Sequence, residues 1–306
     1  MLPLIIVNPT SAGGTTRDAW PGIASELATH FGAFNCEFTK ERGDAGRFAR
    51  LGAKEGRDLL IACGGDGTIS EVANGILESG VDVELGILPS GTGGDFQRSL
   101  KIPARVQDAA CLLHTGRTRR IDVGRVTYVN HNGANESRYF LGIASFGMSG
   151  EVIRRVKESD SKWLGGKAAF ALAMLQTTLT KENTSACVQL DDQRERRLTL
   201  ANLCVANGRY FGGGMKIAPE AKLDDGQLDV VTIGDLGALK ILTNAHQLYL
   251  GTHLGMKQVH HALAIRISAR PDAKDEQIAI EVDGELPGHL PATFVVLPRA
   301  LRVRAA

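Results

Sequence analysis

Cysteine, aromatic residues and charge of one sign are all scarce in this sequence, and no apolar run is long enough to cross a bilayer. The five cysteines (Cys36, Cys63, Cys111, Cys187, Cys204) are scattered, odd in number and free of any Cys-x-x-Cys pair. That excludes a disulfide framework and a cysteine metal cluster; the thiols read as packing residues in a reducing, cytoplasmic setting. Basic and acidic residues nearly cancel, leaving a formal net charge of +1. A duplex binder carries a basic excess, so nucleic acid is not the expected partner. Residues 1–7 are apolar but too short for a signal peptide or a span, and they run straight into a turn.

Glycine, by contrast, is plentiful, and its placement is informative. The apolar run 59–63 leads at once into Gly64-Gly65-Asp66-Gly67-Thr68. A buried strand followed by three glycines, a carboxylate and a hydroxyl suits a nucleotide phosphate site. Glycine lets backbone N–H groups approach an anion, and Asp66 can hold a metal ion or a hydroxyl. Helical spacing resumes immediately, with Ile69, Val72, Ala73, Ile76 and Leu77 on one face. The loop therefore opens onto a helix N-terminus, whose dipole favours phosphate. It is not a P-loop, because no Gly-Lys-Ser/Thr follows, nor a Gly-x-Gly-x-x-Gly fingerprint.

Hydrophobic patterning predicts strands over 3–7, 34–38, 59–63 and 83–88, with helices over 18–30, 45–55, the segment after Thr68, and 105–114. Strands and helices in that alternation imply a mostly parallel sheet covered on both faces. From about residue 121 the pattern becomes β-rich, with strands over 121–128, 139–145, 187–190, 198–206, 228–233, 263–268, 278–282 and 294–297. Helical insertions fall near 150–157, 167–180 and 236–249. The expected fold class is α/β: an N-terminal doubly wound nucleotide domain over 1–121, then a mainly β, sandwich-like domain over 122–306. The final residues are expected to return to the first domain.

Ligands of such sheets gather at the carboxyl ends of strands. Three turns are expected there: Asn8-Pro9-Thr10-Ser11, Gly64 to Thr68, and Ser90-Gly91-Thr92. Singly, each is also an ordinary βα loop; together they favour a phosphate site. With these turns in place the chain resembles the diacylglycerol kinase catalytic-domain family, the bacterial lipid kinases related to diacylglycerol and sphingosine kinases. The resemblance continues in the family's order through Ser145-Phe146-Gly147, 207–214, Ala218-Pro219, Leu223-Asp224-Asp225-Gly226 and Val282-Asp283-Gly284-Glu285.

The resemblance implies an ATP- and Mg²⁺-dependent kinase acting on a lipid hydroxyl, most simply that of diacylglycerol. It implies ATP contacts at Asn8, Pro9, Thr10, Ser11, Thr39, Gly64, Gly65, Asp66, Gly67, Thr68, Glu71, Ser90, Gly91 and Thr92. Asp66 would approach Mg²⁺ or the phosphoryl region. Asp283-Gly284-Glu285 is expected to bring a carboxylate base to a cleft shared with the nucleotide domain, with Glu285 preferred over Asp283; read alone, Asp-Gly is also a hairpin signal. The loop 222–227 resembles the family's structural magnesium loop, with Asp225 giving a carboxylate and Lys222 and Gln227 main-chain carbonyls; a solvated turn is the other reading.

Two positions depart from the family pattern. Gly94 stands where asparagine is usual, which points to an altered substrate or a weak kinase, and Ala12 stands where glycine is common. The apolar segment 166–179 reads as core, or as the wall of an acyl-chain pocket. Arg117, Arg119, Arg120, Arg154 and Arg155 read as surface charges rather than lipid-headgroup ligands, and His260-His261 lacks metal spacing. The expected partners are ATP and a lipid reached from the water side, peripherally at the inner membrane surface, with a homodimer left open. Two rivals remain at this stage: an NAD kinase-like phosphotransferase, and a non-catalytic nucleotide or lipid sensor.

Overall fold

The computed structural model describes residues 2–158, 166–180, 182–273 and 276–305. The chain divides into two compact units, Met1–Val123 with Arg299–Ala306, and Gly124–Pro298.

In the first unit, strands β1 (Leu4–Val7), β2 (Asn35–Phe38), β3 (Leu59–Gly64) and β4 (Glu84–Pro89) alternate with helices. The helices are α1 (Thr15–Phe31), α2 (Asp44–Lys54), α3 (Asp66–Ser79), the short α4 (Asp95–Ser99) and α5 (Val106–Thr115). The strands pair in parallel in the order β2-β1-β3-β4. Every residue of β1 and β3 is buried, as in a sheet covered on both faces. Helix α2 lies against α3, and α1 against α5. Ile5, Ile6, Leu60, Ile61, Leu85 and Ile87 form the centre of this core.

The second unit contains β5 (Arg117–Asn130, entering from the first unit), β6 (Asn135–Phe140), β7 (Ile143–Gly147), helices α6 (Met148–Glu158) and α7 (Gly166–Thr180), β8 (Thr184–Leu190) and β9 (Arg196–Ala206). There follow β10 (Leu228–Gly234), α8 (Ala238–Leu250), β11 (Val259–Ala264), β12 (Arg266–Pro271), β13 (Ala279–Val282) and β14 (Glu285–Ala305). Antiparallel pairings run β7-β9-β8-β12-β14-β13 and back to β7. That ring closes because β9 and β14 each serve two successive ladders. Closure removes the exposed edges that an open sheet would present. Inside it lie Phe140, Phe146, Leu203, Ile267, Ile280 and Phe294. A second apolar cluster, including Ile143, Cys204, Met215, Ile217, Val231 and Leu248, packs elsewhere in the unit.

Several sequence expectations change. The strand expected over 139–145 is two strands split at Leu141-Gly142, and that expected over 263–268 is split at Ile265. The strand expected over 294–297 is part of β14, whose last residues, Arg302 and Val303, lie parallel to β4. The 166–179 segment is not plain core: Ala173 is buried, but Leu172, Leu175 and Leu179 are exposed; the side chains of 166–170 lie outside the described residues. Among the described residues no helix is long and apolar enough to cross a membrane.

One buried ion pair secures the C-terminal strand. Arg304 donates to both oxygens of Glu84, and Thr118 Oγ1 donates to Glu84 Oε1 at 2.7 Å. Burial alone would push the Glu84 carboxyl up, but Arg304 and Thr118 outweigh it and leave it lowered. Arg304→Met would strand a buried carboxylate and should cost ~2–3 kcal/mol in chemical denaturation at neutral pH. Because the folded-state pKa is lowered, the contribution is full above the ordinary glutamate range and is lost as pH falls through the lowered value. The gap between the two proteins should therefore close in acid.

Candidate active site

The three turns of the first unit lie at the carboxyl ends of adjacent parallel strands and are bonded to one another. Asn8, just after β1, donates from Nδ2 to Thr68 Oγ1 at 3.1 Å. Its Oδ1 accepts from Thr10 N at 3.0 Å and Thr10 Oγ1 at 2.8 Å. Ser11 Oγ donates to the Asn8 carbonyl at 2.8 Å. The first turn is thus locked on itself and on α3. Beside it Ala12 adopts φ 52°, a left-handed conformation that glycine would hold with less strain.

A chain of hydroxyls joins the first turn to the third. Ser11 Oγ lies 2.6 Å from Thr16 Oγ1, which lies 2.5 Å from Ser90 Oγ. Thr16 is fully buried, in the first turn of α1. The second and third turns also meet directly through backbone. Ser90 N donates to the Gly64 carbonyl at 2.9 Å, and a Cβ on Gly91 would fall 2.4 Å from Gly65 Cα. Nothing larger than glycine fits at 91 unless the turns separate.

Helix α3 begins at Asp66, and its N-cap, Gly65, offers no side-chain bond to the first amides. The N-terminus is thus open to an outside acceptor, which fits a phosphate group. Asp66 turns away from that opening: Oδ2 accepts from Asp95 N at 3.1 Å and Oδ1 from Phe96 N at 3.2 Å, at the start of α4. Each oxygen keeps a second lone pair, so a hydrated Mg²⁺ is compatible with it.

Thr39 continues β2, its N–H donating to the Val7 carbonyl at 2.9 Å. The loop beyond it is pinned by Asp44, whose carboxyl is brought down to about 2 by Arg47 and by the amides of Lys40 and Glu41. Glu71 accepts from Gly43 N with both oxygens, at 3.2 and 3.1 Å. Pro9 lies half-buried within the first turn, Gly67 within α3, and Thr92 exposed in the third. Gly94 adopts φ 69°, a region where asparagine is the next-best tolerated residue after glycine. The Gln97 amide oxygen stands 2.7 Å from the position a Cβ would take, so this chain fills that space from α4 instead.

In the second unit Asp283, at φ 45°, accepts from three successive amides. Oδ2 takes Leu141 N at 2.9 Å, and Oδ1 takes Gly142 N and Ile143 N at 3.0 Å each. Burial pushes its carboxyl up while those three donors pull it back. Glu285 is different: its carboxylate meets Lys157 Nζ at 2.6 Å and remains partly open to solvent. Between them in role stands Glu281, buried, accepting from Gly284 N at 2.6 Å and lying 2.5 Å from Ser145 Oγ.

The loop 222–227 holds Asp225 exposed, with its Oδ1 accepting from Gln227 N at 3.2 Å. Among the described residues no three His, Cys, Asp or Glu side chains cluster in a metal-binding arrangement. One carboxylate and main-chain carbonyls at Lys222 and Gln227 fit a hard cation that retains most of its waters, and no other kind. Arg120, Arg154 and Arg155 pair with Asp82 and Glu151, as surface charges do. His261 bonds Asp229 at 2.7 Å.

Sequence reasoning missed Thr16, Lys157 and Glu281. Glu281 alternates with the apolar Ile280 and Val282, which reads as a solvent-facing position on a strand. Its burial comes from α6, which packs over β13 and β7 on that face, and no local pattern signals that. A cavity of about 430 Å³ in the same unit is lined by Met148, Thr178, Leu179, Ala201, Leu236 and Ile241, among others.

Known proteins match this arrangement over both units. Residues 3–126 match the diacylglycerol kinase catalytic domain, and residues 142–305 the YegS C-terminal NAD kinase beta sandwich-like domain. A diacylglycerol kinase of Staphylococcus saprophyticus is 30% identical across 98% of this chain and 93% of its own length. The crystal structure of a diacylglycerol kinase from Bacillus anthracis str. Sterne superposes with a TM-score of 0.74 at 25% identity, covering 100% of this chain and 97% of that one. A yeast NADH kinase complexed with NADH shares the fold at a TM-score of 0.52 and 10% identity, over 99% and 82% of the two chains. The chain belongs to the diacylglycerol kinase catalytic-domain family and is a lipid kinase.

Proposed function

We propose that this enzyme transfers the γ-phosphoryl group of ATP, with Mg²⁺, to the hydroxyl of a membrane lipid, diacylglycerol being the first choice. The observation that carries the ATP half is the mutual locking of the three strand-end turns around an open helix N-terminus. Phosphoryl transfer asks for positioning and charge neutralisation more than for covalent chemistry. Backbone amides of α3 and the hydroxyls of Thr10, Ser11, Thr68 and Thr92 are suited to that. Asp66, the carboxylate of the glycine loop, would hold Mg²⁺, which would supply charge neutralisation for the phosphate oxygens. In the second unit the 222–227 loop would hold a structural Mg²⁺ through Asp225 and the carbonyls of Lys222 and Gln227.

Glu285 is the base in this reading. Asp283 has both oxygens accepting from backbone amides, whereas the Glu285 carboxylate meets the Lys157 ammonium and is partly open to solvent. Glu285 takes the hydroxyl proton as the lipid oxygen bonds to the γ-phosphorus; the bond to the bridging oxygen breaks and ADP leaves. Lys157 has to yield Glu285 when the hydroxyl arrives. Exposed Leu172, Leu175 and Leu179 on α7, and the cavity that Leu179 helps to line, support an acceptor with acyl chains, met peripherally at a membrane surface.

The test is incubation with γ-labelled ATP and Mg²⁺ against a panel of lipids in mixed micelles, with NAD in parallel. Label in the phosphorylated diacylglycerol is expected. Label only in NADP would favour the NAD kinase reading, and bound ATP without transfer a sensor. Glu285→Gln should lower kcat by roughly 10²–10⁴-fold while ATP affinity stays within about threefold; unchanged turnover would remove Glu285 as base. Thr16→Val, which leaves the Ser11 and Ser90 hydroxyls without their shared partner, should raise KM for ATP by about 5–30-fold with kcat little changed.

A further inference from the structure

Glu281 is a buried carboxyl that the proposed chemistry does not use. Ser145 Oγ is placed to donate to Ser149 Oγ at 2.8 Å, and it also lies 2.5 Å from Glu281 Oε2. A serine hydroxyl has one hydrogen. That hydrogen can serve only one of the two contacts, and a protonated Glu281 satisfies the other by donating to Ser145 Oγ. The other oxygen, Oε1, accepts from Gly284 N at 2.6 Å. Gly284 precedes Glu285 directly, so this bond fixes the peptide plane from which the Glu285 side chain projects.

We propose that Glu281 is a positioning residue: a neutral, buried carboxylic acid that holds the Gly284-Glu285 turn and so sets the aim of the Glu285 carboxylate. This rests on the assignment of Glu285 as base. The surroundings favour the neutral form. Asp283 and Glu285 on its own turn add like charge, and the Cys204 thiol of β9 faces it. Ser145 of β7 and Ser149 of α6 are uncharged, as is Asn202 of β9, whose Oδ1 accepts from Ser149 N at 3.0 Å. The nearby cations act on its neighbours: Lys157 of α6 on Glu285, and Arg138 of β6 on Asp283. Burial above all, and then the two carboxylates, push the Glu281 carboxyl up to about 7, although the Gly284 N–H pulls it down.

Ionisation would put a third carboxylate into this cluster and disturb the turn. Glu281→Gln reproduces the neutral acid, with an N–H to Ser145 and an oxygen for Gly284 N–H, and cannot ionise. Its kcat should match wild type within about threefold at pH 6. Above pH 7 wild-type kcat should fall while that of Glu281→Gln holds. Glu281→Leu, which keeps the volume and loses both bonds, should lose at least tenfold in kcat at every pH with KM for ATP unchanged. A folded Glu281→Gln that loses more than thirtyfold at pH 6, or that keeps the wild-type alkaline fall, would overturn the proposal.

A readout independent of turnover is the melting temperature. A folded-state pKa raised above the unfolded value gives stability that is present in acid and is lost as pH rises through the interval between the two. Wild-type Tm should therefore fall relative to Glu281→Gln between about pH 4.5 and 7 and run parallel to it above. Parallel curves throughout would show that Glu281 is ionised in the fold, against the proposal. Absence of transfer to any lipid, with the Tm divergence present, would instead refute the base assignment and leave Glu281 a neutral acid.

Discussion

Asp283 gathers three consecutive backbone amides, and the same bond, a carboxylate accepting from main-chain N–H groups, recurs at several of this chain's irregular turns. Asp66 takes the first amides of α4, Asp44 those of Lys40 and Glu41, and Glu71 that of Gly43. Asp191 takes Ile265 and Arg266, and Asp122 takes Arg299 at the return to the first unit. Such bonds are charge-assisted and roughly twice as strong as neutral ones. Loops that carry chemistry cannot use sheet or helix ladders to satisfy their amides, so an outside acceptor is what keeps them in one shape.

That device narrows the choice of base. A carboxylate whose oxygens are filled by amides is part of the framework, and its removal would leave several buried donors unsatisfied. By this criterion Asp283 belongs to the framework of the Asp-Gly-Glu turn, and Glu285, paired with Lys157, is the proposed base. Sequence spacing cannot separate two carboxylates on either side of a glycine, because both fit the same motif and only their partners differ.

The fold was legible where periodicity is strong. Residues 59–63, apolar throughout, could only be a strand buried on both faces, and the spacing after Thr68 could only be a helix. The closed ring of the second unit was not legible, because β9 and β14 change partners midway and no local pattern records a partner. The site was legible as a set of turns and illegible as a network. Asn8, Thr68, Ser11 and Ser90 stand in motifs, whereas Thr16, which joins two of those turns, sits in an unremarkable Thr-Thr pair at the head of α1. Gly94 was read as a loss; the left-handed turn that needs it is preserved, and Gln97 occupies the adjoining space.

The proposed phosphate site has an aspartate in its central loop, which poses an electrostatic problem. An unscreened carboxylate near a polyphosphate in a low-dielectric pocket would cost several kcal/mol. Here the Asp66 oxygens are turned to the α4 N-terminus, where two amides absorb much of the charge. The α3 N-terminus, capped only by Gly65, keeps its positive end uncancelled. A cap such as serine or aspartate at 65 would stabilise the helix by roughly a kcal/mol and close that end to a ligand. A Cβ at 65 would meet Gly91 Cα at 3.5 Å, an ordinary contact, so it is the open helix end and not space that favours glycine there. In the proposed phosphate site the glycine loop therefore gives up helix stability at 65 and uses the carboxylate at 66 to fix the start of α4, which leaves its amides open to an anion.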